Sequence, residues 1–340
     1  MAQKCVFCGG TPQNKNKEHV IPQWLSKYLG RYNSVCDLSG VTDLQIPFKG
    51  LTFPACEKCN SADSALEAAA KNVVEKMMSA QPVTGSEINT LLDWFDKLRI
   101  GIWLGQLMLS KKMDTIVPNF YINNRIALKD RMLIIEHIEG VGNGLGLVGS
   151  NNNMFQYSPN AFQVWFNDVL ITSVSATGLV GNKLGFPVVG KISGLGESVC
   201  HMKISKGRNK TTHPVVMNID ATDKTVIYQP IFKEYTNHEC YKVPYVSSHC
   251  YDCKTGLGGI FVQRNNNTIR YMMPDDKVNL IPRLQPNASA LSSIKRVFEL
   301  QNHIVTGLHK TNVPDAVTAA KIQTCMLENQ MLIQACQKMK

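Results

Sequence analysis

Two Cys-x-x-Cys pairs, Cys5-Val-Phe-Cys8 and Cys56-Glu-Lys-Cys59, limit what the first sixty residues of this chain can fold into. Four thiolates in two knuckles are the ligand number and spacing of a closed tetrahedral zinc site. A shared ion would tie together the ends of a 47-residue intervening segment and supply folding energy that so short a unit lacks. The turn at Gly9-Gly10, directly after the first pair, suits a knuckle; the competing reading is a set of buried thiols with no metal. Between the knuckles lies Glu18-His19-Val20-Ile21-Pro22, where an acid and a histidine stand side by side. In an extended segment the two side chains point to opposite sides.

The rest of the chain is larger than that motif. At 340 residues it can bury a sizeable core and is expected to divide into more than one unit. Eleven cysteines without an apolar signal segment at Met1-Ala-Gln-Lys-Cys5 point to a reducing cytoplasm. The longest nearly unbroken apolar stretch, Ile100 to Leu109, is about half of what a membrane span needs, so a soluble chain without membrane contact is expected. Lys and Arg number 36 against 26 Asp and Glu, and the surplus of ten leaves room for a polyanionic partner. It is densest at Lys203, Lys206, Arg208 and Lys210, in a glycine-containing stretch that reads as a loop. Such a loop either contacts phosphates or is a solvated turn.

Periodicity divides the chain further. Ser64 and Glu67 offer a capping box to a helix running to about residue 79, with Leu66, Ala69, Ala70, Val73, Val74 and Met77 at helical spacing. After Pro82 and Gly85, Ser86 caps a second, long helix through Ile88, Leu91, Leu92, Phe95, Leu98 and Ile102. That helix carries Trp94 and Trp103 and is expected to pack the N-terminal unit against the remainder of the chain. Residues 116–285 read as β-rich, with strands at 132–136, 162–166, 215–219, 225–228 and 259–263. Loops are expected at Asn151–Asn153 and Asn265–Asn267, the second inside a hairpin that joins Ile260-Phe-Val to Ile269-Arg-Tyr. Helices return after Ala288, one through Ile294, Val297, Phe298 and Ile304, and another from Pro314. Cys200, Cys325 and Cys336 read as core thiols.

The N-terminal motifs, taken together, resemble the HNH endonucleases: Cys-x-x-Cys, then acid-His-Val-Ile-Pro, then Cys-x-x-Cys-Asn opening a helix. The resemblance covers about residues 1–80. It implies a ββα-metal unit braced by structural Zn²⁺ on Cys5, Cys8, Cys56 and Cys59, and hydrolysis of DNA phosphodiesters to leave a 5′-phosphate. It further implies His19 as the general base, with Glu18 and Asn60 as ligands of the catalytic ion. A carboxylate and an amide oxygen are hard ligands, suited to Mg²⁺ or Mn²⁺. Histidine titrates near neutrality and serves as a base without large tuning. The chain departs from the family in lacking an asparagine some five residues before the third cysteine, where it reads Lys49-Gly-Leu-Thr-Phe-Pro-Ala-Cys56. That leaves a backbone carbonyl to orient the base. The His19–Cys56 stretch, which contains Trp24, Tyr28, Tyr32 and Cys36, is also longer than a compact ββ hairpin.

A second group, His238, Cys240, His249, Cys250 and Cys253, reads either as a second zinc knuckle or as ordinary buried cysteines. The expectation is an α+β protein: an HNH-like unit at 1–80, a helical connector at 81–115, a β-rich domain of unknown role at 116–285 and C-terminal helices at 286–340. DNA is the expected partner, in a restriction or phage-defence setting by analogy. The C-terminal part leaves room for a partner protein, an activating ligand or homo-oligomerisation. The competing class is a non-catalytic, zinc-dependent DNA- or protein-binding module.

Overall fold

The computed structural model describes residues 5, 8, 10–12, 16–37, 45–110, 130–176, 180–186, 188–193, 201–205, 223–231, 250–252, 257–264, 268–286, 288–311 and 313–339. The fold mixes helix and sheet, in keeping with the expected α+β class. It opens with β1 (Lys17–His19), the short helix α1 (Gln23–Tyr28), β2 (Val35–Asp37), β3 (Gln45–Pro47) and β4 (Thr52–Pro54). Helix α2 (Glu57–Met78), β5 (Val83–Thr84) and helix α3 (Gly85–Leu109) come next. β1 and β4 pair antiparallel, Glu18 opposite Phe53 and His19 opposite Thr52, so the first strand, its partner and α2 form a strand–strand–helix unit with α1 inserted between the strands.

Two expected helix starts move. Helix α2 begins at Glu57, with Cys56 at its N-cap, seven residues before the Ser64 box. The second knuckle itself starts the helix. Ser64 lies inside it, its Oγ donating to the Ser61 carbonyl, and Glu67 pairs elsewhere, with Lys97. For α3 the cap is Thr84 and not Ser86. The Thr84 N–H donates to Glu87 Oε2 at 2.8 Å and the Glu87 N–H to Thr84 Oγ1 at 3.2 Å, a reciprocal capping box.

The larger part is built on β6 (Asp130–His137), β7 (Leu145–Val148), helix α4 (Asn153–Tyr157), β8 (Ala161–Phe166) and β9 (Val169–Ala176). The hairpin β10 (Val188–Ser193) and β11 (His201–Ser205) precedes β12 (Thr225–Gln229). Short strands β13 (Cys250–Asp252) and β14 (Leu257–Gly258) lead to β15 (Ile260–Arg264), β16 (Thr268–Met272) and β17 (Lys277–Val278). Among the described residues, seven of these form one antiparallel sheet in the order β16-β15-β12-β6-β9-β8-β7. The 260–272 hairpin lies where expected. Helices α5 (Ala290–Thr311) and α6 (Ala316–Lys338) close the chain, the second capped by Asp315, which accepts from the Thr318 N–H.

Asn151–Asn153 is not simply a loop: Asn152 accepts from the Phe155 N–H and caps α4, which Asn153 begins. Lys203 lies in β11 and not in a loop. Lys206, Arg208, Lys210, Cys200, His238, Cys240, His249 and Cys253, together with the expected 215–219 strand and 265–267 turn, fall outside the described residues.

Both faces of the sheet are covered. Leu133 and Ile135 of β6 join a core with α2, α3 and the N-terminal unit, while Met132 and Ile134 pack with Leu300 and Ile304 of α5. This two-sided burial explains why β6 reads as a continuous apolar run and not as an alternating one. The first of these cores runs without interruption from Cys5 to Leu280, across the expected unit boundaries.

Helix α3 makes that continuity. Lys97, Gly101 and Gly105, at i, i+4 and i+8, face the β1 segment; a Cβ on Gly105 would sit 3.2 Å from Val20 Cγ2, so glycine permits the approach. Asn89, Asp93 and Asp96 face the sheet, where Arg131 of β6, 2 % exposed, binds all three and Gln229 as well. Arg99 reaches past them to the carbonyls of Pro159 and Asn160 and to Ser173 Oγ of β9. On the far face Glu136 accepts from Ser293 and Arg296 of α5.

Removing one partner from a buried ion pair leaves an uncompensated charge. Arg131→Met is expected to lower the unfolding free energy by about 3–5 kcal/mol, chiefly by stranding Asp96, read as a lower midpoint in urea denaturation.

Candidate metal centre and adjoining histidine site

The four N-terminal cysteines converge. Cys5 lies near the start of the chain, where its N–H donates to the Gly10 carbonyl at 2.7 Å, while Cys56 and Cys59 come from the N-cap and first turn of α2. Their sulfurs all lie within 4.8 Å of one another, and Cys8 Sγ is 3.7 Å from Cys56 Sγ. Four thiolates at about 2.3 Å from a tetrahedral zinc stand about 3.8 Å apart, so the set fits the ion. Cys5 and Cys59 are buried, Cys8 is exposed and Cys56 lies between. The Cys56 thiol is held down to about 7, first by the Cys59 backbone N–H, so its sulfur is ready to bind a cation. Among the described residues this is the one group of three or more His, Cys, Asp or Glu placed to hold a metal.

The acid–histidine pair straddles β1. Glu18, 5 % exposed, turns inward, and its carboxylate lies 2.6 Å from Lys97 Nζ of α3. The same ammonium binds Glu67 of α2. Burial opposes charge on Lys97, but Glu67 and Glu18 outweigh it and hold its proton more tightly than in free lysine. One ammonium cannot balance every carboxylate around it. Burial therefore pushes Glu18 above the usual carboxylate range, against the pull of Lys97, and does the same to Asp63.

His19, half-buried, lies on the other side of the strand, and its Nε2 is 2.9 Å from the Gln23 side-chain amide, which fixes the ring. Burial first, with Lys17, Lys27 and Lys97 adding to it against Glu67, lowers the His19 pKa below 6.5. The imidazole is neutral at pH 7. Asn60, one residue past the last cysteine, donates through Nδ2 to Asn16 Oδ1 at 3.2 Å and to the Lys17 carbonyl at 3.4 Å, which ties the first turn of α2 to the start of β1.

The cysteine group, His19, Glu18 and Asn60 thus gather around one strand and one helix end, with Glu18 on the buried side of the strand. Glu18 is committed to Lys97, whereas Asn60 engages Asn16 and the Lys17 carbonyl through its nitrogen and not through the oxygen that would ligate a cation. Lys97, Asp63, Glu67 and Gln23 are the neighbours that sequence reasoning passes over. Asn60, Asp63 and Glu67 share a face of α2 at i, i+3 and i+7, a signal visible in the sequence; the arrival of Lys97 from α3 is a tertiary fact. Among the described helices none is long and apolar enough to cross a membrane. Comparison with protein-family models, with curated proteins and with solved structures finds no match.

The purified protein is expected to carry zinc on this group, and Cys59→Ser to lose it together with several kcal/mol of stability in the N-terminal unit. Acid works in the same direction, because thiolate ligands must be deprotonated: zinc release, followed with a chromogenic chelator, should rise as pH falls.

Proposed function

We propose that residues 1–80 form a metal-dependent endonuclease unit of the HNH type that hydrolyses DNA phosphodiesters, with His19 as general base and zinc on Cys5, Cys8, Cys56 and Cys59 as its brace. The observation that carries this reading is a neutral, Gln23-oriented His19 on a strand paired to β4, together with a helix that starts at the zinc knuckle. A base near pH 7 must be unprotonated and held still; burial favours the first and Gln23 the second, and the Gln23 amide must release Nε2 for that nitrogen to take a proton. The family resemblance assigns a Mg²⁺ or Mn²⁺ ion to Glu18 and Asn60; because Lys97 is paired with Glu18, an ion there would have to displace that ammonium. Restriction or phage defence is the setting in which such a unit would serve, with the remainder of the chain supplying substrate grip or control.

The second reading, a zinc-dependent DNA- or protein-binding module without catalysis, draws on a specific observation: Lys97 already neutralises the carboxylate that the nuclease reading needs. One assay separates the two. Cleavage of supercoiled plasmid with Mg²⁺ or Mn²⁺ is expected for the intact protein, and His19→Ala should cut the rate by about 10²–10⁴-fold with zinc content and DNA affinity unchanged. Full cleavage by that variant would remove the catalytic assignment, and DNA binding without any cleavage would establish the second reading. Because the folded-state pKa of His19 is lowered, the base form is lost only as pH falls below the ordinary 6.5 of histidine. Proton NMR of the His19 ring should place its midpoint there, and the cleavage rate should fall with it.

A further inference from the structure

We infer that α6 is a self-association surface, through which two copies of this chain pair antiparallel about a two-fold axis. The helix has an apolar inner face and, opposite to it, an outer face that exposes Val317, Leu327 and Met331. Ile322, Cys325, Asn329, Ile333 and Cys336 turn inward against α5 and α4, with Asn329 inside an amide network of Asn152, Gln301 and Asn302. The inner face is thereby fully accounted for. The outer face carries Val317, Ala320, Thr324, Leu327, Met331, Gln334 and Lys338, and every one of them is exposed. Val317 is 67 %, Leu327 60 % and Met331 70 % exposed, and Val313, just before the helix, is 90 %.

The make-up of that outer row is what selects its occupant. Its members recur at intervals of three and four residues through the whole helix, as one face of a helix does, and what distinguishes them is the placing of small side chains in the first half and larger ones in the second. A seam with Val, Thr and Met alternating with Ala, Leu and Gln is complementary to itself when reversed: Thr324 meets Leu327 of the second copy, and Ala320 meets Met331, so small residues face large ones. Charge agrees with this register. The flank beside the seam holds one cation and one anion seven residues apart, Lys321 and Glu328, and in the reversed pair each Lys321 stands beside Glu328 of the other copy, twice by symmetry. A parallel pair brings no such contact. Glu328 is already held in position, because Asn153 Nδ2 donates to both of its oxygens at 2.9 and 3.0 Å. With a helix of 23 residues, about 35 Å long, roughly three heptads take part.

Sedimentation velocity of the full-length protein over a wide concentration range tests this. A reversible monomer–dimer equilibrium is expected, abolished by the double substitution Leu327→Glu/Met331→Glu while the circular-dichroism spectrum stays that of the folded protein, since both side chains are exposed in the monomer. Lys321→Glu turns two attractions into two repulsions and should raise the dimer dissociation constant on the order of tenfold. A monomer at every concentration, or a dimer that survives the double substitution, would overturn the proposal. Monomer that co-sediments with anionic lipid vesicles would overturn it too, by giving the seam to a membrane surface. A dimer lost in the double variant but unmoved by Lys321→Glu would overturn the antiparallel register.

Discussion

Trp94 stands where the parts of this molecule meet. Fully buried on α3, its ring lies 5.6 Å from Trp24 of the N-terminal unit and 6.3 Å from Phe166 of the sheet, with Phe95 edge-on at 5.2 Å. Aromatic groups of this size dominate core energetics, and their offset and edge contacts fix angle as well as distance. The orientation of the sheet relative to the cysteine-pinned strands is therefore set by one helix. Its apolar face supplies the driving force, and its buried charges supply the direction.

Those charges divide by partner. Lys97 draws Glu18 and Glu67 to one side, and Asp93 and Asp96 draw Arg131 to the other. Each pairing crosses from α3 to another element, so a wrong docking of the helix would bury ions without partners. Buried ion pairs contribute little net stability over apolar packing but make misassembly costly. For the histidine site the consequence is direct: Lys97 fixes Glu18 to the inner face of β1, and the alternation of the strand then places His19 on the other face.

Much of this is legible in the sequence because its signals are local. The knuckle spacing at Cys5–Cys8 and Cys56–Cys59 announces the cysteine group, the 3.6-residue period announces α3, α5 and α6, and turn chemistry announces the 260–272 hairpin. Strand β9 is not legible. Its eight residues are all buried, yet Thr172, Ser173 and Ser175 interrupt the apolar pattern; the Thr172 and Ser173 hydroxyls accept from Gln163 and Arg99 inside the protein. The start of α2 is misleading because Ser64 and Glu67 form a plausible box by sequence, whereas the cysteine at the N-cap takes precedence by tertiary geometry. The partner of Glu18 is hidden for the same reason: Lys97 lies seventy-nine positions away and reads as an ordinary solvent-facing lysine.

The place of α3 in the chain also sets an order of assembly during synthesis. It leaves the ribosome before any strand of the seven-stranded sheet, in company with the β1–β4 pair and α2, and Val20, Glu18 and Glu67 can close on it at once. Its other side must wait, bare and carrying Asp93 and Asp96, until Arg131 and Phe166 emerge. During that interval the two aspartates keep the waiting surface hydrated, and the same carboxylates later become the lock that admits Arg131. A nascent chain of this design guards its unfinished side with the groups that will finish it.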